Sequence, residues 1–431
     1  MHNATAQGNQ ILKGVIEVIH SSLGGETASR IVNLVKQHEE YRVKSCINLR
    51  ADENCTSPIV RSLLSSDFCH RNTSPDPKFV YRGTKYMNEV GDLTIELGKR
   101  LFKADYINIW APTGHNANII TYFAFCRPGD KVLVLAPQHG GYGGIASTAL
   151  PKSLGLETLY FPFDVDKMSI RVDQTIKLIE SELPSLIIFG GTYFLFPQPI
   201  KEIAVVAHRH GIPVAYDGAH VMGLIAGAQF QDPLREGADV LFGSTMKTLG
   251  GPPGGILLTN SQEIHEKLRE ATWYRGVTAP QWNRIAALGV VFAEMLEWGQ
   301  EYAAQVIKNS KALARALQKR GIGIMYGEQG YTSSHTILLD VGGLDKNVTG
   351  YASNMAAKLE EANIIIDDRG RVATAEVTRL GMKEEEMDEI SDLMAKVLVH
   401  GVSCEDVRSP VRQLRGRFGI AFTGSRRAKL S

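Results

Sequence analysis

Residues 212–260 read IPVAYDGAHVMGLIAGAQFQDPLREGADVLFGSTMKTLGGPPGGILLTN. Three short apolar runs stand out, at 212–218, 238–244 and 254–260. Continuous apolar strands of this length suit a sheet covered on both faces, where no side of the strand meets water. Polar residues gather where the runs end: Asp217 and His220 after the first, Lys247 after the second. Lys247 stands just ahead of a Gly/Pro loop through which no helix can run. Either it is a surface charge on a turn, or it is held there to react.

The same pattern extends outward. Apolar strands are expected at 131–137, 157–163 and 185–191, with helices such as Val172–Ser181 and Lys201–His210 between them. Strands alternating with helices predict an α/β fold with a mostly parallel sheet flanked by helices. Ligands of such sheets gather at the carboxyl ends of the strands, which adds His139 and Thr192 to the polar residues at that edge. Around this large domain, 51–285, the chain divides into an N-terminal helical segment (1–50, helical from Ile11 to about Tyr41), a smaller C-terminal α+β domain (286–405) and a tail (406–431). The small domain opens on a long helical run at 285–320 and contains a strand at 335–341 and a last helix at 384–400. From Arg408 to Ser431 seven basic residues and no acidic one predict a solvated, partly disordered tail.

A net charge of +1 gives no reason to expect nucleic acid or a membrane surface as partner. Five cysteines, odd in number and without CxxC spacing, point to reduced thiols in a cytoplasmic protein and to no metal site. No apolar run reaches membrane-spanning length, and the first residues carry no secretory signal.

A lysine, an aspartate and a Gly/Ser/Thr turn at one sheet edge are the parts needed to hold pyridoxal 5′-phosphate. The amine bonds the cofactor's aldehyde. The carboxylate keeps the pyridine nitrogen protonated, and amides at a helix N-terminus cradle the phosphate.

In detail, YDGAHVMGLIAGAQFQDPLREGADVLFGSTMKT followed by GPPGG resembles the serine hydroxymethyltransferase family, its archaeal members above all. YRGTKYMNEV, LFKADYINIWAPTG, FGGTYF, EMLEWGQEYAAQVIKN and TRLGMKEEEMDEI extend the likeness to about residue 400. The resemblance implies the fold type I architecture of pyridoxal phosphate-dependent transferases, with a seven-stranded sheet. It implies Lys247 as the Schiff-base lysine, Asp217 as partner of the pyridinium nitrogen, and His220 near the phenolic oxygen. Thr113 and Gly114 match the phosphate turn, with His115, Thr192 and Thr245 beside it as further cofactor contacts. Gly276 matches a phosphate contact from a neighbouring subunit, and Tyr81 a tyrosine reaching across the same interface, so a homodimer with shared sites is implied. Arg371 matches the arginine that grips the substrate's α-carboxylate, a bidentate task unsuited to lysine.

Departures from the family concern the reaction. Where the family has Tyr-Ala-Glu, with a proton-moving glutamate, this chain has Asn72, Thr73 and Ser74, and Asp76 is displaced. A general acid or base must lie within hydrogen-bond reach of its proton, so folate-dependent hydroxymethyl transfer is not expected. Asp52 replaces a serine of the carboxylate site and is a candidate for a hydroxyl or amine of a larger substrate. Tyr142 takes the place of the histidine that stacks on the cofactor ring, and Met246-Lys247 that of a His-Lys pair. Two folate-free relatives are resembled. Threonine transaldolases keep both of those histidines. The O2-dependent monooxygenase-decarboxylases of capuramycin-type antibiotic biosynthesis convert 5′-C-glycyluridine to a carboxamide. The leading expectation is the oxidative decarboxylase, an oxidoreductase acting on a nucleosidyl amino acid, with His139 as acid/base; the alternatives are aldol or transaldol chemistry and a non-catalytic pyridoxal phosphate-binding protein. His139 can equally be a hydrogen-bonded loop residue.

Overall fold

The structure is a computed structural model that describes residues 23–73, 81–145, 147–273, 275–341 and 349–422. Seven strands form its main sheet: β1 (Tyr106–Asn108), β2 (Lys131–Val134), β3 (Glu157–Tyr160), β4 (Leu186–Gly190), β5 (Val214–Asp217), β6 (Val240–Ser244) and β7 (Gly255–Thr259). Their order is β1-β7-β6-β5-β4-β2-β3. All neighbours are parallel except β7, which runs antiparallel to both β6 and β1. Strands β4, β6 and β7 are buried along their whole length, the reason their sequences are continuously apolar rather than alternating.

The reversed strand decides where Lys247 lies. Gly255 pairs with Ser244, so the chain leaves the carboxyl edge of β6, makes a ten-residue excursion and returns to that edge. The excursion is cross-braced: the Thr245 N–H donates to Gly254 O at 3.0 Å, Gly250 N–H to Lys247 O at 2.9 Å and Gly251 N–H to Thr245 O at 2.8 Å. Helix α1 (Gly114–Phe125) starts at the same edge after β1, capped by the Thr113 hydroxyl, which accepts the Asn116 N–H at 3.1 Å.

Two hydrophobic cores are joined by helix α2 (Trp282–Lys319), 38 residues and about 57 Å long at 1.5 Å per residue. Its first half, including Trp282, Phe292 and Tyr302, belongs to the core under the main sheet. Leu313 and Leu317, near its end, belong to the second core. That second core holds helix α3 (Ala375–Arg379), helix α4 (Glu384–Leu398) and an antiparallel pair, Thr336–Leu338 with Arg371–Ala373. Ile47 and Leu49 also enter it, because strand Ile47–Asn48 pairs in parallel with Ile364–Ile365.

One expectation is corrected here. The solvated tail expected from residue 406 begins instead inside helix α5 (Cys404–Gly416), capped by Ser403. Val407, Val411 and Leu414 recur at helical spacing and are buried in the second core, so the arginines between them lie on the other face. Charge count hid that stripe. The rest of the tail from 423, with Arg426, Arg427 and Lys429, lies outside the described residues, as does the expected N-terminal helix up to residue 22. Among the described residues no helix is long and apolar enough to cross a membrane.

Candidate active site

Asp217 closes β5 and is buried, 4% exposed. It accepts the Ala219 N–H on Oδ1 at 3.0 Å and the Asn118 amide on Oδ2 at 3.3 Å. Burial raises its pKa, while the Ala219 N–H and the nearby Lys247 charge pull the other way. Such a carboxyl is best satisfied by a cation brought into the cleft. Neighbouring strand β4 ends on Gly190, whose φ of +124° and close approach leave no room for a side chain: a Cβ there would lie 2.5 Å from Asp217 O.

Three residues after Asp217, His220 is buried with its Nε2 2.9 Å from Lys247 Nζ. Burial, with Lys247 and Arg371 adding to it, holds this imidazole neutral, its pKa well below the ordinary range. Burial, followed by the charge of Arg371, also lowers the Lys247 ammonium to about 8, against the opposing pull of Asp217 and Asp52. A neutral amine is the form that attacks an aldehyde. Lys247 is therefore not a turn charge.

Thr113, Gly114 and His115 place the free N–H groups of the first turn of α1 at the rim of the same cleft. Gly114 is required because a Cβ there would lie 2.9 Å from that of Ser244 at the end of β6. Tyr142 lines the cleft with its hydroxyl 3.4 Å from His115 Nδ1, the two rings edge to face. Burial and the Asp217 charge raise the phenol's pKa, so it stays protonated. Thr192 also lines the cleft, but its N–H and hydroxyl both donate to Gly140 O, at 2.7 and 3.1 Å.

Arg371 is buried and held from two sides, its Nε donating to Asp367 at 2.5 Å and its Nη1 to Thr192 O at 2.7 Å. Arg369 is exposed. Asp52 is gripped by Arg50 through two bonds of 3.0 and 2.9 Å. Burial pushes its pKa up, but the Arg50 bonds and charge outweigh it and leave the group below its ordinary value. Asp52 therefore presents a neutralised ion pair rather than a bare negative charge.

Other expected residues lie elsewhere. His139 stacks on Phe163, ring centroids 4.8 Å apart and 13° from parallel, and is not among the residues lining the cleft. Burial lowers its pKa. Thr245 is buried and donates its hydroxyl to Pro252 O at 2.6 Å. Gly276 abuts Ile120 on α1, and Tyr81 is 42% exposed. Met246 turns to a separate cavity of about 950 Å³ behind the loop, which Pro252 and Pro253 also line. Thr73 is buried, while Ser74 and Asp76 lie outside the described residues.

Three participants carried no signal that sequence reasoning used. Asn118 and Asp367 brace Asp217 and Arg371. His335 is wholly buried, its ring 5.9 Å from that of His220 and 23° from parallel. Burial above all, then Arg371, brings its pKa down to about 3, with only the Ala51 backbone pulling upward appreciably. Among the described residues no group of three or more His, Cys, Asp or Glu is placed to hold a metal ion. The residues that are present fit pyridoxal phosphate: an activated amine, a buried carboxyl awaiting a cation, and a helix N-terminus opened by glycine.

Comparison with known proteins agrees. The model of the family described as serine hydroxymethyltransferase matches residues 26–394. The chain is 42% identical over 395 residues to the serine hydroxymethyltransferase of Methanocaldococcus jannaschii, covering 88% of this chain and 91% of that one. It is 39% identical over 409 residues to that of Pyrococcus horikoshii, covering 90% and 95%. The crystal structure of L-threonine transaldolase from Pseudomonas fluorescens in its internal aldimine state is similar in fold, with a TM-score of 0.83 at 24% identity over 100% of this chain and 97% of that one. With its sheet, its lysine turn and its matched motifs, the chain belongs to the serine hydroxymethyltransferase family and is a pyridoxal 5′-phosphate-dependent enzyme.

Proposed function

We propose that this enzyme makes or breaks the Cα–Cβ bond of a β-hydroxy α-amino acid without folate, as an aldolase or transaldolase. The carrying observation is the cleft itself, with Lys247 Nζ 2.9 Å from His220 Nε2 and buried Arg371 acting electrostatically on both. When bound, the cofactor supplies a ring that accepts the electron pair left at Cα. The chain's residues do the rest. Asp217 would hold a proton on the ring nitrogen, the first turn of α1 would take the phosphate, and Lys247 would be the amine that bonds the cofactor's aldehyde. Arg371 would receive the substrate carboxylate through guanidinium hydrogens not given to Asp367 or Thr192 O, and Tyr142 would lie beside the bound ring. Independence from folate is supported by Asn72, Thr73 and Ser74, which stand in sequence where the family has Tyr-Ala-Glu, so that no carboxylate matches the proton-moving glutamate. The transaldolase similar in fold supports the reaction class.

A second reading, O2-dependent decarboxylation of a glycyl-nucleoside, is favoured by Tyr142 and Met246, where threonine transaldolases keep histidines. Its candidate acid/base, His139, has its ring stacked on Phe163. The test is L-threonine with an oxygen electrode. We expect glycine and acetaldehyde at equal rates in air and under nitrogen, with no added folate. Oxygen uptake matched by CO2 release would favour the second reading, and brisk serine cleavage only with tetrahydrofolate would overturn both. A homodimer with shared sites belongs to the same proposal. Tyr81, exposed here, is then covered by a second copy, and sedimentation at twice the chain mass is expected.

A further inference from the structure

One buried hydroxyl gathers the segments that carry the substrate-side residues. Tyr302 on α2 is 1% exposed, and its OH lies 3.1 Å from Thr248 O and 3.4 Å from Ala375 O. The same oxygen accepts from Asn54 Nδ2 at 2.9 Å. The second hydrogen of that amide goes to Lys247 O at 3.0 Å, while Asn54 Oδ1 accepts the Cys55 N–H at 2.8 Å. Every hydrogen of the Asn54 amide and the Tyr302 hydroxyl is thus used on backbone or on the other partner.

Each backbone group reached belongs to an arm of the site. Lys247 and Thr248 form the lysine turn. Thr248 also ties that turn to His220, its hydroxyl donating to His220 O at 2.9 Å and accepting the Gly223 N–H at 3.0 Å. Ala375 opens α3, directly after the strand Arg371–Ala373 that carries the carboxylate-binding arginine. Asn54 lies two residues beyond Asp52. The lysine turn comes from the main sheet and the Arg371 strand from the second core, and their separation sets the distance from the reacting carbon to the bound carboxylate. A buried hydroxyl whose single hydrogen is shared between Thr248 O and Ala375 O links the two sides, and deleting it removes a buried hydrogen bond from both.

We propose that Tyr302 is a positioning residue whose hydroxyl, together with Asn54, sets the register between the Lys247 turn and the Arg371 strand and hence the fit of an α-amino acid's carboxylate. The inference rests on the reading of Arg371 as the carboxylate site. Tyr302→Phe is the first test, since it deletes the hydroxyl and keeps the ring that meets Trp298 and Phe422 edge to face. Glycine and ethylamine, which differ by the carboxylate, are titrated into the cofactor-loaded protein and followed by cofactor absorbance. Glycine is expected to bind about tenfold more weakly to the variant, the scale of a lost buried hydrogen bond, with ethylamine within about twofold of wild type. In the cofactor-free protein, amide hydrogen exchange across 244–251 is expected to quicken by about tenfold. Asn54→Ala, which leaves Tyr302 in place, should show the same ligand selectivity and serves if Tyr302→Phe does not fold. Unchanged glycine affinity, or equal weakening of glycine and ethylamine, would overturn the proposal. A wild-type protein that does not respond to glycine would instead defeat the Arg371 reading, and the exchange rates would then decide the clamp by themselves.

Discussion

Lys247 and His335 show how one environment acts on two bases. Both are walled in beside Arg371, and burial disfavours the charged form of each. For Lys247 the consequence is kinetic. Below pH 8 each unit leaves about tenfold less neutral amine, so cofactor uptake by the cofactor-free protein should speed up with pH and level off above about 8. Stopped-flow absorbance checks this, and a flat profile from pH 6 to 9 would contradict it. Lys247→Ala should lower turnover by about a thousandfold or more and abolish covalent cofactor capture. For His335 the consequence is stability. Between about pH 3 and 6.5 the unfolded chain holds a proton on this imidazole that the folded chain does not, so the unfolded state gains as pH falls. Urea midpoints should drop from pH 7 to pH 4, and less steeply in His335→Phe; equal slopes would refute the assignment. Lys247, Asp217 and His220 were legible because their spacing is a local property of one strand-turn-strand unit. His335, 115 residues beyond His220 by number, was not, since it reads as one polar position heading an apolar strand.

Among the elements, apolar runs located the strands well, because full burial leaves a mark on every residue of β4 and β6. Direction left no such mark. β7 looks like its parallel neighbours in sequence, and only the short excursion through Lys247 makes its reversal necessary, since parallel strands need a long crossover. Helix α5 left no clear mark for the converse reason, its three buried apolar residues being interleaved with three arginines, Arg408, Arg412 and Arg415. Leu414 is 3% exposed, and Leu414→Ala should cost about 2–4 kcal/mol in urea unfolding. A change below about 0.5 kcal/mol would restore the solvated tail.

In the whole molecule, α2 couples two cores that no sequence boundary separates. In its first half Glu294, 2% exposed, receives Arg379 Nη2 from α3 at 2.8 Å, and that guanidinium lies 4.1 Å from the Trp298 ring centre. Removing one charge strands the other in a medium that cannot solvate it, so Glu294→Gln should cost about 3–5 kcal/mol by denaturation. A cost near zero would mean that water reaches the pair. The amino-acid sequence by itself determined the sheet and the cofactor, because strand burial and strand-turn spacing are written in consecutive residues. Tertiary structure alone decided which of the remaining candidates meet. It set His335 against His220 and brought Tyr302 behind the lysine turn. Those meetings depend on distances between segments far apart in the chain, and only the packing of the two cores on α2 sets such distances.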